Sequence, residues 1–274
     1  MIKNAFAKIN LSLDILGKDE TGYHNVQTIL QEISLNDEIL IEKNKNHEIE
    51  FKGEESHLID PENNTITEAI KAMKPKNKYK IIVTKNIPLG AGLGGGSSNA
   101  ATIIKAVNEI EKMQLGSDEM REITKNIGVD VPFFIDGGTA LGTHYGEKIE
   151  LLPKLNWADQ HKLLVIPQMR KSTKRMYSRI DLEKCGSHTN QTKKMLASIK
   201  ANSTEHVFEN LHNDFENFAG AGFAEIKEKL LENGAEHVVL CGSGTAVFAL
   251  SNNPFDSEAL CQALPNQHIL NLTQ

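Results

Sequence analysis

Residues 87–99 read Ile-Pro-Leu-Gly-Ala-Gly-Leu-Gly-Gly-Gly-Ser-Ser-Asn, and five of the seven residues from Gly90 to Gly96 are glycine. A strand pattern precedes this run over 79–85. A helix pattern follows it, with Ala100, Ile103, Ile104, Val107 and Ile110 on one face. Any fold this chain adopts must therefore contain a strand, a glycine turn and a helix in direct succession. Glycine lets backbone amides approach a ligand closely. A helix N-terminus adds unpaired N–H groups and the positive end of a dipole, so the combination is an anion site, most often for phosphate. Ser97 and Ser98 add hydroxyls for capping, phosphate contact or a metal ion. The plain alternatives are a linker or a tight hairpin, but a bare linker rarely leads straight into an amphipathic helix.

Several phosphate-binding motifs are close but fail. Gly90-x-Gly92-x-x-Gly95 fits the dinucleotide fingerprint, with Glu109 and Glu111 near the acidic position. That unit needs a second parallel strand after the helix, and here another helix pattern follows. No lysine precedes Ser97, so the ATPase loop is absent, and the protein-kinase H-R-D and D-F-G are absent too. Cys241 before Gly242-Ser243-Gly244 spoils a serine-hydrolase elbow, and His47-Glu48 lacks the second histidine of a zinc protease.

Along the chain, Ala5, Ala7, Ile9, Leu11, Leu13 and Ile15 alternate with Lys8, Asn10, Ser12 and Asp14, which predicts a half-buried first strand. Thr21-Gly22 marks a turn. Further strands are predicted at 26–33, 38–42, 47–51, 79–85, 139–143, 148–152, 162–166, 237–241, 246–250 and 268–272. Helices are predicted at 65–73, after the glycine run, from an N-cap at Ser117 to Gly128, and at 173–180, 189–200, 223–233 and 257–264. Strands and helices cluster without strict alternation, which reads as an α+β fold. At ~150 residues per domain, 274 residues suggest two domains, and the pattern resets around 155–160. We expect domains at 1–156 and 157–274. A net charge of −6 argues against nucleic acid as a partner. Three scattered cysteines, no long apolar run and no signal-like N-terminus predict a cytoplasmic protein that does not span a membrane.

Pro88-x-x-x-Gly92-Leu93-Gly94-Gly95-Gly96-Ser97-Ser98 resembles the phosphate loop of the GHMP small-molecule kinases. Ala7-Lys8-Ile9-Asn10-Leu11, Gly22-Tyr23-His24, Asp130-Val131-Pro132-Phe133-Phe134, Asn213-Asp214-Phe215-Glu216 and Gly242-Ser243-Gly244 extend the resemblance in order from about Ala5 to Leu250. It is nearest to the branch that phosphorylates a cytidyl-capped methylerythritol in non-mevalonate isoprenoid synthesis. The resemblance implies a two-domain fold with a ribosomal-protein-S5-like N-terminal domain and a ferredoxin-like C-terminal domain. Nucleotide and acceptor would meet in a cleft between them. ATP would be the phosphate donor, held by Pro88, Leu89, Gly90, Ala91, Gly92, Leu93, Gly94, Gly95, Gly96, Ser97 and Ser98. Mg²⁺ would bridge the triphosphate, with no protein ligand readable beyond Ser97 or Ser98. The acceptor would be the cytidyl diphosphate polyol, and the protein a monomer or homodimer.

Transfer to an alcohol needs a held triphosphate, a proton acceptor and charge compensation. Asp130 follows a glycine stop and precedes Pro132, so it sits at a rigid turn. By the resemblance it is the base; by sequence alone an N-cap of a short helix is an equal reading. Lys8, on the polar face of the first strand beside Asn10, is a solvated lysine on ordinary grounds. The resemblance pairs it with the catalytic aspartate. Tyr23 would stack on the cytosine, His24 would hydrogen-bond it, and Asn10 would join them in the acceptor site. Tyr177, shortly after Ser172-Thr173, would supply a second aromatic face, or else pack in the core at helical spacing with Thr173 and Ile180. Thr173 completes the predicted acceptor contacts. Arg170-Lys171 and Lys174-Arg175 depart from the family, where small or apolar residues are more usual; they read as solvated surface or as attraction for a diphosphate. Other small alcohols such as homoserine or mevalonate, a nucleotide-binding sensor and, more distantly, a nicotinamide enzyme are the rival readings.

Overall fold

A computed structural model of the chain describes residues 1–168, 173–204 and 206–272. Two compact units are present. The first comprises Met1–Lys8, Leu35–Leu89 and Gly94–Gly137; the second comprises Ile9–Ser34, Gly90–Leu93 and the chain from Gly138 onward. Strands β1 (Ile2–Lys18) and β2 (His24–Asn44) contribute residues to both.

In the first unit the later half of β2 pairs antiparallel with β4 (Lys78–Thr84), from Glu38↔Thr84 to Asn44↔Lys78. Strand β3 (Glu48–Lys52) lies parallel on β4. Four helices complete the unit: α1 (Thr65–Met73), α2 (Gly95–Glu111), α3 (Ser117–Thr124) and α4 (Val131–Asp136). Helix α1 starts where predicted because the Asn64 carboxamide oxygen accepts from Ile66 N at 2.9 Å and Thr67 N at 3.1 Å, while Thr67 Oγ1 accepts from Asn64 N. Its buried side chains Ile66, Ala69, Ile70 and Met73 keep helical spacing. Helix α2 packs against α1 and α4. Gly116, not the predicted Ser117, is the N-cap of α3, and its amide donates to Glu119 Oε2 at 2.8 Å. The helix also ends at Thr124, short of Gly128.

In the second unit the early half of β2 pairs with β5 (Thr139–His144) from Val26↔His144 to Gln31↔Thr139, and β5 pairs with β6 (Lys148–Leu151). A second sheet has the order β11 (Gln267–Leu272), β7 (His161–Pro167), β10 (Val247–Ser251), β9 (His237–Leu240), all antiparallel. Helices α5 (Thr173–Tyr177), α6 (Thr189–Lys200), α7 (Glu216–Ala219), α8 (Ala221–Glu232) and α9 (Ser257–Ala263) belong to this unit. Its core gathers Leu13, Ile15, Val26, Leu163, Phe215, Ile226, Leu240 and Leu260. A two-residue strand, β8 (His212–Asn213), pairs with β1 at Ser12 and Leu13. The Asn213-to-Glu216 motif anchors it. Asn213 Nδ2 donates to the carbonyls of Leu240 (2.9 Å) and Gly242 (2.8 Å), and Asp214 Oδ2 accepts from Ile15 N and Gly186 N. Among the described residues, no helix is long and apolar enough to cross a membrane.

Strand β1 corrects one expectation. Its alternation is real, yet Lys8, Asn10, Ser12 and Asp14 are as buried as the apolar face. Each polar side chain has a partner that offsets its desolvation. Asp14 illustrates this in the second unit: Oδ1 lies 3.1 Å from His212 Nε2, and Oδ2 accepts from Thr192 Oγ1 at 2.5 Å. Burial by itself disfavours the imidazolium of His212. Hydrogen bonds to Asp14 and to the Asn210 carbonyl, with the charges of Asp14 and Asp214, outweigh it and raise the histidine above its ordinary value. A raised histidine contributes stability that is complete below its unfolded value of ~6.5 and disappears as pH rises through the folded value. The melting temperature is therefore expected to fall as pH rises above neutrality. Asp14→Asn should flatten that slope; an unchanged slope in calorimetric scans would count against the pair.

Candidate active site

The glycine run belongs to both units, with Gly90–Leu93 in the second and Gly94 onward in the first. In the second unit Gly92 lies backbone to backbone on the turn after β9. A Cβ on Gly92 would stand 2.0 Å from the Cys241 carbonyl oxygen, and one on Gly244 would stand 2.2 Å from the Ala91 carbonyl. Ala246 N donates to the Ala91 carbonyl at 3.1 Å. Gly242-Ser243-Gly244 is thus the turn on which the loop rests, and these two glycines are fixed by packing. In the first unit Gly94 is the left-handed N-cap of α2, with φ of 72°, and no side chain caps the helix. The helical ladder starts with Ser98 N donating to the Gly94 carbonyl at 2.9 Å, so the amides of Gly95, Gly96 and Ser97 stand outside it. Gly96 is exposed, and a Cβ there would meet only ordinary contacts, so internal packing does not require a glycine. Ser97 is partly exposed and Ser98 is buried.

Beneath the loop lies a buried cluster with no sequence motif. Asp37, within β2, forms an ion pair with Lys85 and accepts from Asn86 N (2.7 Å), Ile87 N (2.8 Å) and Asn99 Nδ2 (2.8 Å). Lys85 also donates to Asn99 Oδ1 at 3.1 Å. Burial pulls the Lys85 ammonium below its ordinary value, and Asp37 opposes that shift. One carboxylate thereby ties the end of β4, the entry to the loop and the first turns of α2. Leu89 N adds a bond to Glu55 Oε2 at 2.8 Å.

Lys8 and Asp130 are brought together. Lys8 Nζ lies 3.7 Å from Asp130 Oδ2, and the lysine side chain is 4% exposed against 34% for the aspartate. The solvated-lysine reading is therefore excluded. Asp130 does precede α4, but its side chain makes no capping bond. The Lys8 stem also passes close to Gly94, within 3.1 Å of a Cβ placed there.

In the second unit Asn10 is buried, and its Nδ2 donates to Thr28 Oγ1 at 2.8 Å. Tyr23 is 63% exposed, on the turn between β1 and β2. His24, next to it, is buried, with its ring 5.2 Å from that of Tyr177, which in turn meets Phe215 edge-on at 5.0 Å. Tyr177 packs against the core, as one of its two sequence readings expected. Burial, with the charge of Lys18, holds His24 below its ordinary value, and the ring is neutral at neutral pH. Its Nε2 is buried with no hydrogen-bond partner among the described residues. A buried polar atom left unsatisfied costs free energy and points to a ligand group. Tyr23 packs instead on Tyr145, at 5.3 Å between ring centroids, a residue that the sequence reading did not single out. Thr173 opens α5; Arg170, Lys171 and Ser172 lie outside the described residues, and Arg175 is exposed.

The chain is 37% identical over 257 residues to a 4-diphosphocytidyl-2-C-methyl-D-erythritol kinase of Clostridium botulinum strain Langeland. The match covers 91% of this chain and 90% of that protein. The chain belongs to the GHMP kinase family. Residues 64–138 match the GHMP kinases N terminal domain and 219–270 the GHMP kinases C terminal. A protein of the same name from Clostridioides difficile strain 630 is 36% identical, over 92% of this chain and 86% of that one. The crystal structure of a 4-(cytidine 5'-diphospho)-2C-methyl-D-erythritol kinase superposes with a TM-score of 0.78 at 26% identity, covering 99% and 98% of the two chains. A homoserine kinase from Cytophaga hutchinsonii, at 16% identity and a TM-score of 0.71 over 98% and 94% of the chains, shares the fold. The α+β two-domain GHMP kinase fold expected from the sequence is the one observed, and the chain is a small-molecule phosphotransferase. The dinucleotide alternative fails on topology, because α2 leads into α3. Its two acidic residues are engaged elsewhere: Glu109 pairs with Lys3, and Glu111 with Asn77 and Tyr79.

Proposed function

We propose that this GHMP kinase transfers a phosphoryl group from ATP to the 2-hydroxyl of 4-diphosphocytidyl-2-C-methyl-D-erythritol, in the cytoplasm, as a monomer or homodimer without nucleic-acid or membrane partners. The observation that carries the choice of acceptor is the orphaned Nε2 of neutral, buried His24 beside exposed Tyr23. Such a pair suits a nucleobase, which offers a ring face to stack and a polar edge to satisfy a buried nitrogen. Homoserine and mevalonate have no base to offer. A nucleotide sensor would have no use for a buried lysine set against an uncapped aspartate.

In this reading the residues from Pro88 to Ser98 hold the triphosphate, with the amides of Gly95, Gly96 and Ser97 donating to it. Asp130 takes the proton of the acceptor hydroxyl. Lys8 orients that carboxylate and offsets charge on the transferring group. Asn10, Tyr23, His24, Thr173 and Tyr177 bind the acceptor. The described residues include no group of three or more His, Cys, Asp or Glu placed to hold a metal. Mg²⁺ held mainly by phosphate oxygens and water needs no such cage, and the Ser97 or Ser98 hydroxyl would supply any protein ligand. The ion would neutralise charge on the triphosphate. The domain division near residue 156 belongs to the same proposal, and β7 opens the second sheet just beyond it, at His161.

ATP consumption measured with the cytidyl polyol, mevalonate and homoserine as acceptors tests the reading. Turnover is expected with the cytidyl polyol alone, and preference for either other alcohol would overturn it. His24→Ala is expected to raise KM for the cytidyl acceptor about tenfold while KM for ATP stays put. Equal changes in both constants would count against a base-binding histidine.

A further inference from the structure

The turn that presents Tyr23 is fixed by a single carboxylate. Asp19 Oδ1 accepts from Thr21 N (2.9 Å), Thr21 Oγ1 (2.6 Å) and Tyr23 N (3.2 Å). Asp19 N donates back to the Tyr23 carbonyl at 3.0 Å. The other oxygen, Oδ2, accepts from the phenol of Tyr145. The β-register brings the two tyrosines together. Val26 faces His144 across β2 and β5, so the residues just before β2 lie beside those just after β5. Tyr145 occupies the β5–β6 turn, where His144 takes a left-handed φ of 65° and Tyr145 N donates to Glu147 Oε2 at 2.9 Å. The His144 ring lies 3.7 Å from that of Tyr145, which lies 5.3 Å from that of Tyr23. The result is a row of three rings whose last member is open to solvent.

An exposed tyrosine on a turn normally samples several rotamers, and ordering it on binding costs affinity; packing that orders it beforehand removes that cost. We propose that Tyr145 is a positioning residue for the acceptor's nucleobase: its ring and its bond to Asp19 hold Tyr23 ready to stack on cytosine. The proposal rests on the cytidyl-acceptor reading above. The contact keeps one protonation state across the neutral range. Hydrogen bonds from Thr21 and Tyr145 pull the Asp19 carboxyl down to about 2, and Asp19 pushes the Tyr145 phenol up.

The test is a double-mutant cycle read in steady-state kinetics with the cytidyl polyol and ATP, using Tyr145→Phe, Tyr145→Ala, Tyr23→Ala and the Tyr23→Ala/Tyr145→Ala double variant. Tyr145→Ala is expected to raise KM for the acceptor about tenfold, and Tyr145→Phe, which keeps the ring, about threefold. The kcat and the KM for ATP should not move. In the Tyr23→Ala background, Tyr145→Ala should add less than twofold, because the residue it positions is gone. An acceptor KM within twofold of wild type in Tyr145→Ala, or effects that multiply in the double variant, would overturn the proposal while leaving the cytidyl reading intact. Wild-type enzyme that ignores the cytidyl polyol would overturn both. Should Tyr145→Ala not fold, Tyr145→Phe decides alone: a rise confined to the acceptor KM supports the proposal, and no rise contradicts it.

Discussion

Asp130→Asn is expected to lower kcat by about 10²–10⁴-fold, the range that a positioned general base supplies. The substitution keeps the size of the side chain and its place at the start of α4, where it caps nothing. It removes the group that would accept the hydroxyl proton and the partner of buried Lys8. The triphosphate is assigned to backbone amides of α2, which the change does not touch, so nucleotide affinity measured by calorimetry should stay within a few-fold of wild type. Unaltered turnover would remove Asp130 from the chemistry. A parallel collapse of nucleotide binding would mean that it serves the loop instead. Lys8→Met should share the direction of the kcat effect, since it removes the cation that lies 3.7 Å from the carboxylate.

Asp37→Ala is expected to cost about 3–5 kcal/mol of stability, as for other buried ion pairs broken from one side. At ~2–4 °C per kcal/mol for chains approaching this size, the melting temperature should drop by roughly 10 °C. The loss falls on one place. Lys85, with a side chain 4% exposed, would lose the carboxylate that opposes its desolvation, and the amides of Asn86 and Ile87 would lose their acceptor at the entry to the glycine loop. The double change Asp37→Ala/Lys85→Met also removes the buried amine left without its carboxylate and should recover part of the loss. Scanning calorimetry of the single and double variants checks this. A drop of less than about 3 °C in Asp37→Ala would show that the cluster does not hold the loop.

These two residues show what the sequence makes legible. Asp130 stands in a recognisable string beside Pro132, and turn chemistry marks its position before any packing is known. Asp37 follows Asn36 in what reads as a polar break between two strands. The structure runs β2 straight through it, because the carboxylate finds Lys85 and Asn99, which lie 48 and 62 positions further along. Local pattern cannot report a partner at that distance. The same limit explains β1, whose alternation gives the strand but not the burial of Lys8, Asn10 and Asp14 on its polar side. It explains Tyr145 too, which carries no motif and meets Tyr23 only through the register of β2 on β5. Helices α1 and α6 span the predicted residues, α1 because its Asn64 cap and apolar spacing are local signals.

The claim on which the rest depends is that the uncapped start of α2 receives the phosphates of ATP. A crystal structure with a non-hydrolysable ATP analogue measures this directly. Phosphate oxygens within hydrogen-bond distance of the amide nitrogens of Gly95, Gly96 and Ser97 are the predicted result. A triphosphate bound elsewhere, with those three amides facing only solvent, would contradict the account.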